Sequence, residues 1–140
     1  MKVVLIVVLV GFVLVVAGVV VAARWIKRQG TVLKTEGEAV MAEARKFGEG
    51  KDGEACIAES LNRLKTASGL MGEAKVKIFL QTCLSTATVS PKTCEGIPKP
   101  SEIMKSAQWA LDECARRGRP NDQRCTRVIN AIQVHCHVRQ

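Results

Sequence analysis

The chain is 140 residues long, carries a formal net charge of +8, and contains six Cys, three Phe, two Trp and no Tyr. This length suffices for one small domain behind an N-terminal apolar segment. A basic surface can meet phospholipid headgroups, an acidic polymer or nucleic acid. Because the sequence has no set of aromatic stacking residues and no groove-reading motif, we exclude nucleic acid as a partner.

The apolar segment Val3–Ala23 contains no charged or polar side chain. As a helix it reaches roughly 31 Å, which matches the ~30 Å hydrocarbon core of a bilayer. We therefore predict an uncleaved transmembrane anchor whose partner is the lipid bilayer. The alternative is secretion after signal cleavage near Ala23, where small residues precede the expected cut. A signal peptide usually has an apolar region of about 7–15 residues, which is shorter than this one and favours the anchor.

The charges around this segment and the cysteines behind it predict opposite topologies. Lys2 and the amino terminus precede the segment, and four basic residues follow it before the first acidic one: Arg24, Lys27, Arg28 and Lys34. The positive-inside rule would place the C-terminal domain in the cytosol. Disulfides form in oxidising compartments, so the cysteines predict a domain in the periplasm or outside the cell, and we follow the cysteines.

Small residues on one face of the anchor offer a possible dimer contact. Gly11, Gly18 and Ala22 are spaced by seven and four residues, so they fall on the same side of a helix. Small residues of this kind let two membrane helices approach closely. A homodimer through this face is one prediction, and the alternative is the ordinary abundance of Gly and Ala in membrane spans.

The spacing of apolar residues, Gly and Pro predicts an all-α chain, in which a transmembrane helix precedes a disulfide-stapled domain of two antiparallel helix hairpins with four to five helices. We expect residues 1–28 to form the anchor with its basic juxtamembrane end, 29–50 a linker and short helix, and 51–140 the six-cysteine domain. The helices expected after the anchor are Thr35–Phe47, Asp52–Ser68, Gly72–Ala87, Ser101–Arg117 and Asn121–Val138, with a loop at Thr88–Pro100.

Four of these helices carry a stripe of apolar residues that we assign to the core. Asp52 is the expected N-cap of the first of the four. The last is either capped by Asn121 or begins just after Pro120. The inward residues are, in chain order, Ile57, Leu61 and Leu64; Val76, Phe79, Leu80, Cys83, Leu84 and Ala87; Ile103, Met104, Ala107, Ala110, Leu111 and Cys114; and Cys125, Val128, Ile129, Ile132 and Cys136.

The six cysteines are an even number in a small domain behind a membrane-targeting segment, which predicts a disulfide framework. One alternative is six buried, reduced thiols. Another is a zinc site, which favours CxxC-type pairs, and the sequence has none. We expect no metal and no cofactor. The cysteines are Cys56, Cys83, Cys94, Cys114, Cys125 and Cys136.

Helix geometry limits the possible pairings. Cys125 and Cys136 lie on one helix about 16 Å apart, whereas a disulfide needs Cα atoms within about 7 Å. Two cysteines come level across the first hairpin and two flank the turn of the second. The predicted bonds are Cys56–Cys83, Cys94–Cys136 and Cys114–Cys125. The main alternative joins Cys83 to Cys94.

Two groups of residues attract attention for chemistry. His135 and His137 point about 200° apart on one helix, so they cannot share an ion within it. Trp109 and the arginines Arg116, Arg117, Arg119 and Arg124 form a candidate partner-binding patch. The alternative is a solvated helix end, where basic residues are favoured, with Trp109 either filling a seam or standing exposed as a contact residue.

The sequence shows no nucleophile with a catalytic neighbour and no CxxC redox pair, so we expect no enzyme. The leading hypothesis is a membrane-anchored extracytoplasmic interaction module that binds an unknown protein or an anionic envelope polymer. The second is a carrier of a small ligand or metal, with its cavity between the two helix hairpins.

Overall fold

The computed structural model describes the backbone of residues 2–138 and the side chains of residues 11–25 and 34–137. It divides into two units, Met1–Glu36 and Gly37–Gln140. Over residues 2–138 it contains no β-strand, and the prediction of an all-α chain is confirmed. Its helices are α1 Lys2–Gly48, α2 Gly53–Thr66, α3 Gly69–Thr86, a 3-10 helix Pro91–Cys94, α4 Ile103–Arg116 and α5 Gln123–Val138.

The first unit contains the N-terminal part of α1. The side chains of residues 11–25 are all exposed. Among the residues whose side chains are described, no helix combines the length and the apolar character needed to cross a bilayer. Residues 3–10 of the predicted anchor Val3–Ala23 and residues 26–33 of the basic segment lie outside that set.

The first hairpin, α2 and α3, forms as the sequence predicts. The Asp52 carboxylate caps α2 by accepting a hydrogen bond of 2.8 Å from the backbone N–H of Ala55. Gly69, with a φ of +62°, is the first residue of α3 and makes the turn between the helices. Every predicted inward residue of this hairpin is buried: Ile57, Leu61 and Leu64 in α2, Val76, Phe79, Leu80, Cys83 and Leu84 in α3, and Ala87 just after it.

The last turns of α1 pack on this hairpin. Ala44 is buried, and the Phe47 and Phe79 rings lie 5.7 Å apart. Arg63 fixes the contact from the side, because its guanidinium stacks 3.8 Å from the Phe79 centroid and bonds the Glu43 carboxylate at 2.8 Å. Glu43 and Arg63 thereby tie α1 to α2.

The second hairpin, α4 and α5, differs from the prediction in the rotation of α4. In α5 the predicted inner face, residues Cys125, Val128, Ile129, Ile132 and Cys136, is buried. In α4 only Ala110 and Cys114 of the predicted face are buried, together with Glu113. The other four predicted inward residues are exposed, so this part of the prediction is wrong: Ile103, Met104, Ala107 and Leu111.

Bonds at both ends of α4 fix its rotation. The Cys114–Cys125 disulfide holds its last turn, and the Gln133 amide of α5 donates to the Ser106 hydroxyl near its start. Arg117, just past its end, bonds Glu54 of α2. These contacts turn Ser106, Ala110 and Glu113 inward, so the apolar stripe faces outward.

The cap of α5 also differs from the prediction. The helix begins at Gln123, and the Asp122 carboxylate accepts hydrogen bonds from the backbone N–H groups of Arg124 and Cys125, at 2.9 and 3.1 Å. Asn121, the predicted cap, has a φ of +59° and makes the turn before it. The cap is therefore one residue later than predicted.

Three disulfides staple the second unit, and they join the same pairs that the helix geometry predicts. Cys56–Cys83 closes the first hairpin, Cys114–Cys125 closes the second, and Cys94–Cys136 ties the loop between the hairpins to the end of α5. Their Cα–Cα distances are 5.8, 6.1 and 5.5 Å respectively. All six cysteines are bonded. Such a framework is typical of an oxidising extracytoplasmic compartment or of secreted proteins.

Candidate interaction site

A cleft of about 300 Å³ lies between α2, α4 and α5 and is covered on one side by the loop that contains the 3-10 helix. Trp109 lines it and packs against the core, half-buried. The sequence left two interpretations of Trp109 open, and the structure agrees with the one in which Trp109 fills a seam. The other apolar residues of the cleft are Ile57, Ile97 and Ile132.

Charged side chains at the mouth of this cleft neutralise one another. Glu113, only 8% exposed, bonds Arg116 and also bonds the Arg117 Nε at 2.7 Å. Arg117 in addition bonds Glu54 at 2.9 Å. Burial alone would lower the pKa of Arg117, but its hydrogen bonds to Glu54 and Glu113 outweigh this and raise it. Arg117 is therefore a fixed charge that links α4 to α2.

Arg119 and Arg124 lie away from the cleft and bind the end of α2. Arg119 donates to the carbonyl oxygen of Leu61 at 2.8 Å, and Arg124 donates to that of Leu64 at 3.0 Å and to that of Ala67. The Leu64 and Ala67 carbonyls, at the end of α2, lack intrahelical partners and lie at its negative pole, so the Arg124 guanidinium satisfies them well. Carboxylates neutralise both arginines, Asp122 at 2.8 Å from Arg119 and Glu73 at 3.1 Å from Arg124.

The structure thus divides the predicted patch. Arg116 and Arg117 line the same cleft as Trp109, whereas Arg119 and Arg124 hold the two hairpins together. Each of the four arginines has a carboxylate partner within the chain. The patch presents less unbalanced positive charge than its sequence suggests.

The outward face of α4, which we call the α4 stripe, is a surface that sequence reasoning missed. It consists of Ile103, Met104, Ala107 and Leu111, and the three large side chains are 75%, 82% and 42% exposed. The periodicity that identifies the stripe is visible in the sequence. We assigned it to the core because an apolar helix stripe is usually buried, and nothing local to α4 indicates that Glu113 takes the inward position.

A second exposed apolar pair lies at the tip of the first hairpin. Leu70 and Met71, in the first turn of α3, are 79% and 51% exposed. A groove of about 300 Å³ runs from Leu70 between α3 and α5. The Asn130 Oδ1 in this groove is the one buried side-chain N or O atom among residues 11–25 and 34–137 that has no hydrogen-bond partner.

His137 contacts the loop between the hairpins. The His137 Nε2 lies 2.9 Å from the carbonyl oxygen of Pro98 and 3.2 Å from that of Ile97, so it acts as a donor to the loop. Together with Cys94–Cys136, this fixes the loop to the end of α5. Within the part of the chain that the structure describes, no three His, Cys, Asp or Glu side chains are grouped as metal ligands would be.

Comparison of this chain with protein-family models, with curated proteins and with solved structures finds no match.

Proposed function

We propose that this protein is a membrane-anchored, extracytoplasmic helical interaction module, and that it docks an apolar helix of a partner protein on the α4 stripe. The observation that carries the proposal is the outward rotation of α4. Three large apolar side chains of one helix face solvent while its opposite face packs on the core. Contiguous exposed apolar surface of this kind is typical of protein–protein contacts.

The chemistry of the α4 stripe favours a helix as its occupant. Met104, Ala107 and Leu111 follow the i, i+3, i+7 spacing of helix pairs, and the small Ala107 leaves room for close approach. The charges beside the stripe are of both signs, with Glu102 and Lys105 bonded to each other at 2.6 Å and Asp112 accepting from Gln108 at 2.9 Å. A mixed rim of this kind suits a polypeptide better than an anionic polymer, which needs a cationic surface.

The membrane anchor in this proposal rests on the sequence of Val3–Ala23 and on its length. The residues of this segment with described side chains, 11–23, are exposed and apolar all round. Secretion after cleavage near Ala23 is the competing outcome. A homodimer through Gly11, Gly18 and Ala22 stays a prediction; a Cβ added to either glycine would meet nothing within 4 Å in the single chain.

A carrier function is the second candidate, and the cleft beside Trp109 gives it less support. Ligand sites usually enclose about 300–1,000 Å³ and are lined mainly by apolar side chains. This cleft has a volume of about 300 Å³, and seven of its eleven lining residues are polar or charged. The apolar interior between the hairpins is filled by residues that are themselves buried, among them Phe79, Leu80, Leu84 and Ile129.

Site-specific photo-crosslinking in intact cells tests the proposed function. A photoreactive amino acid replaces Met104 in the stripe or, as the control, Lys105, which is exposed about 100° around the same helix from Met104. We expect one adduct from position 104, formed with an amphipathic helix of a single partner protein, and no such adduct from position 105. Leu111→Asp should remove the adduct with at most a small change in the melting temperature, because the Leu111 side chain is 42% exposed.

The same experiment distinguishes the alternatives. Equal labelling from positions 104 and 105, or adducts with lipid alone, would rule out the stripe as a docking site. An adduct between two copies of the chain would show that the stripe is a homodimer contact and that it does not bind another protein. Recovery of a mature chain that begins near Arg24 would show secretion in place of anchoring.

A further inference from the structure

The tip of the first hairpin exposes two large apolar side chains for a local steric reason. Gly72 lies against Ala67, since a Cβ on Gly72 would come within 3.2 Å of the Ala67 Cβ. This contact turns the Gly72 side of α3 towards the end of α2. Leu70 and Met71, on the other side of the same turn, are left pointing into solvent. The conformation of the turn therefore determines the exposure of Leu70 and Met71.

The tip is surrounded by positive charge. Three lysines and two arginines lie around it, against the carboxylates Glu73 and Asp122, so that this end carries a net charge of +3; the five cations are Lys65, Lys75, Lys77, Arg124 and Arg127. At the opposite end of the domain, residues 49–54 and 92–105 contain four lysines and five carboxylates, and Arg117 bonds Glu54 there, so that the net charge is zero. The two ends of the domain thus differ in net charge.

The groove between α3 and α5 continues the apolar surface of the tip. Its lining includes Leu70, Ala74 and Val128, and Lys77 and Arg127 also line it. The buried Asn130 Oδ1 in the groove accepts from no donor within the described part of the chain. The groove therefore joins apolar surface, cations and an acceptor that a hydroxyl or ammonium group can satisfy.

Val40 of α1 lines a small pocket with Thr66, Ala67 and Gly72, the residues on either side of the tip. The C-terminal part of α1, within the second unit, therefore packs beside the tip.

From these observations we propose that Leu70 and Met71 insert into the headgroup region of an anionic phospholipid surface, with the surrounding lysines binding the lipid phosphates. Apolar side chains ringed by basic residues are the usual means by which a surface helix binds anionic lipid. A net positive charge distinguishes this end from the α4 stripe, where the two signs balance. This inference rests on the membrane anchor of the proposed function and adds a second, reversible contact with the same membrane.

Fluorescence quenching in reconstituted vesicles tests the insertion. The full chain is reconstituted in phosphatidylcholine vesicles with or without phosphatidylglycerol, and an environment-sensitive fluorescent amino acid replaces either Met71 or Met104. Both methionines are exposed, at opposite ends of the domain, so they are matched probes. With phosphatidylglycerol, we expect a blue shift at position 71 and quenching by acyl-chain-brominated lipids about twofold stronger than at position 104.

Charge reversal tests the electrostatic part. Lys65→Glu with Lys77→Glu should abolish the quenching at position 71, whereas Lys92→Glu with Lys99→Glu, the same change of charge at the other end, should leave it intact. Equal quenching at positions 71 and 104 in a chain that co-floats with the vesicles would overturn the insertion and leave the anchor standing. A chain that fails to co-float with either kind of vesicle would overturn both.

Discussion

At the scale of single residues, the arginines after α4 act as external caps of α2. Arg119, in the turn before α5, and Arg124, in the first turn of α5, donate to the Leu61, Leu64 and Ala67 carbonyl oxygens. Such bonds satisfy helix carbonyls and also join two hairpins that are distant in sequence. Two of the four arginines, Arg119 and Arg124, therefore hold the two hairpins together.

We expect Arg124→Ala to lower the free energy of unfolding by about 1–3 kcal/mol, because it leaves the Leu64 and Ala67 carbonyls without their charged donor. Arg127→Ala is the matched control, since Arg127 bonds the same carboxylate but contacts no helix-end carbonyl. Its effect should be much smaller. Urea unfolding of the full chain measures both, and equal losses would show that the carbonyl contacts contribute nothing.

Asp122 gives the domain an acid-sensitive cap. Burial raises the pKa of its carboxyl, but the hydrogen bonds from the Cys125 backbone, the Arg119 side chain and the Arg124 backbone outweigh burial and hold the pKa below its ordinary value of 3.8. The unfolded chain therefore takes up its proton at higher pH than the folded one. The stabilisation is complete above about pH 4 and is lost as the pH falls through the folded-state pKa.

Asp122→Asn keeps an oxygen for the cap but removes the titrating charge. We expect the variant to be less stable than the parent at neutral pH and to lose less stability between neutral pH and about pH 2. Some acid sensitivity should persist, because the hydrogen bond from Arg63 lowers the pKa of Glu43 as well. Parallel stability curves for the two proteins across this pH range would contradict the assignment.

At the scale of elements, the sequence predicts the buried faces of α2, α3 and α5 because each has one apolar stripe, and the cysteines lie within it. In α4 an apolar stripe competes with a second face that contains Trp109, Glu113 and Arg117. That second face is buried because Glu113 bonds Arg116 and Arg117 and because Arg117 bonds Glu54. The Arg117–Glu54 ion pair joins distant parts of the sequence and is not visible in the local pattern, so neither the rotation of α4 nor the α4 stripe follows from the sequence.

The packing of α1 on α3 depends on the absence of a side chain at Gly48. A Cβ at this position would lie 2.8 Å from the Cys83 carbonyl oxygen and 3.2 Å from the Thr86 Cβ. Gly37, in the same helix, has open space around it. We expect Gly48→Ala to destabilise the domain by about 1–3 kcal/mol and Gly37→Ala to stabilise it by about 0.5–1 kcal/mol. Chemical unfolding of the two variants should show shifts of opposite sign, and shifts of the same sign would contradict this packing.

At the scale of the whole molecule, the disulfides convert two helix hairpins and a loop into one domain. Their pairing is predictable because hairpin lengths and the ~1.5 Å rise per residue fix which cysteines come level. The proposed docking surface is not predictable in the same way, since it depends on which faces remain uncovered after the hairpins pack. The framework also bears on location, because three disulfides in a small domain are typical of an oxidising compartment.

Mapping the disulfides in cells tests the central claim most directly. Intact cells are treated with an alkylating reagent before lysis, and the protein is digested and analysed without reduction. We expect no alkylated cysteine and three linked peptide pairs, Cys56–Cys83, Cys94–Cys136 and Cys114–Cys125. Six alkylated thiols would contradict both the stapled fold and the extracytoplasmic location inferred from it, whereas fully oxidised cysteines in other pairs would contradict the arrangement of the hairpins.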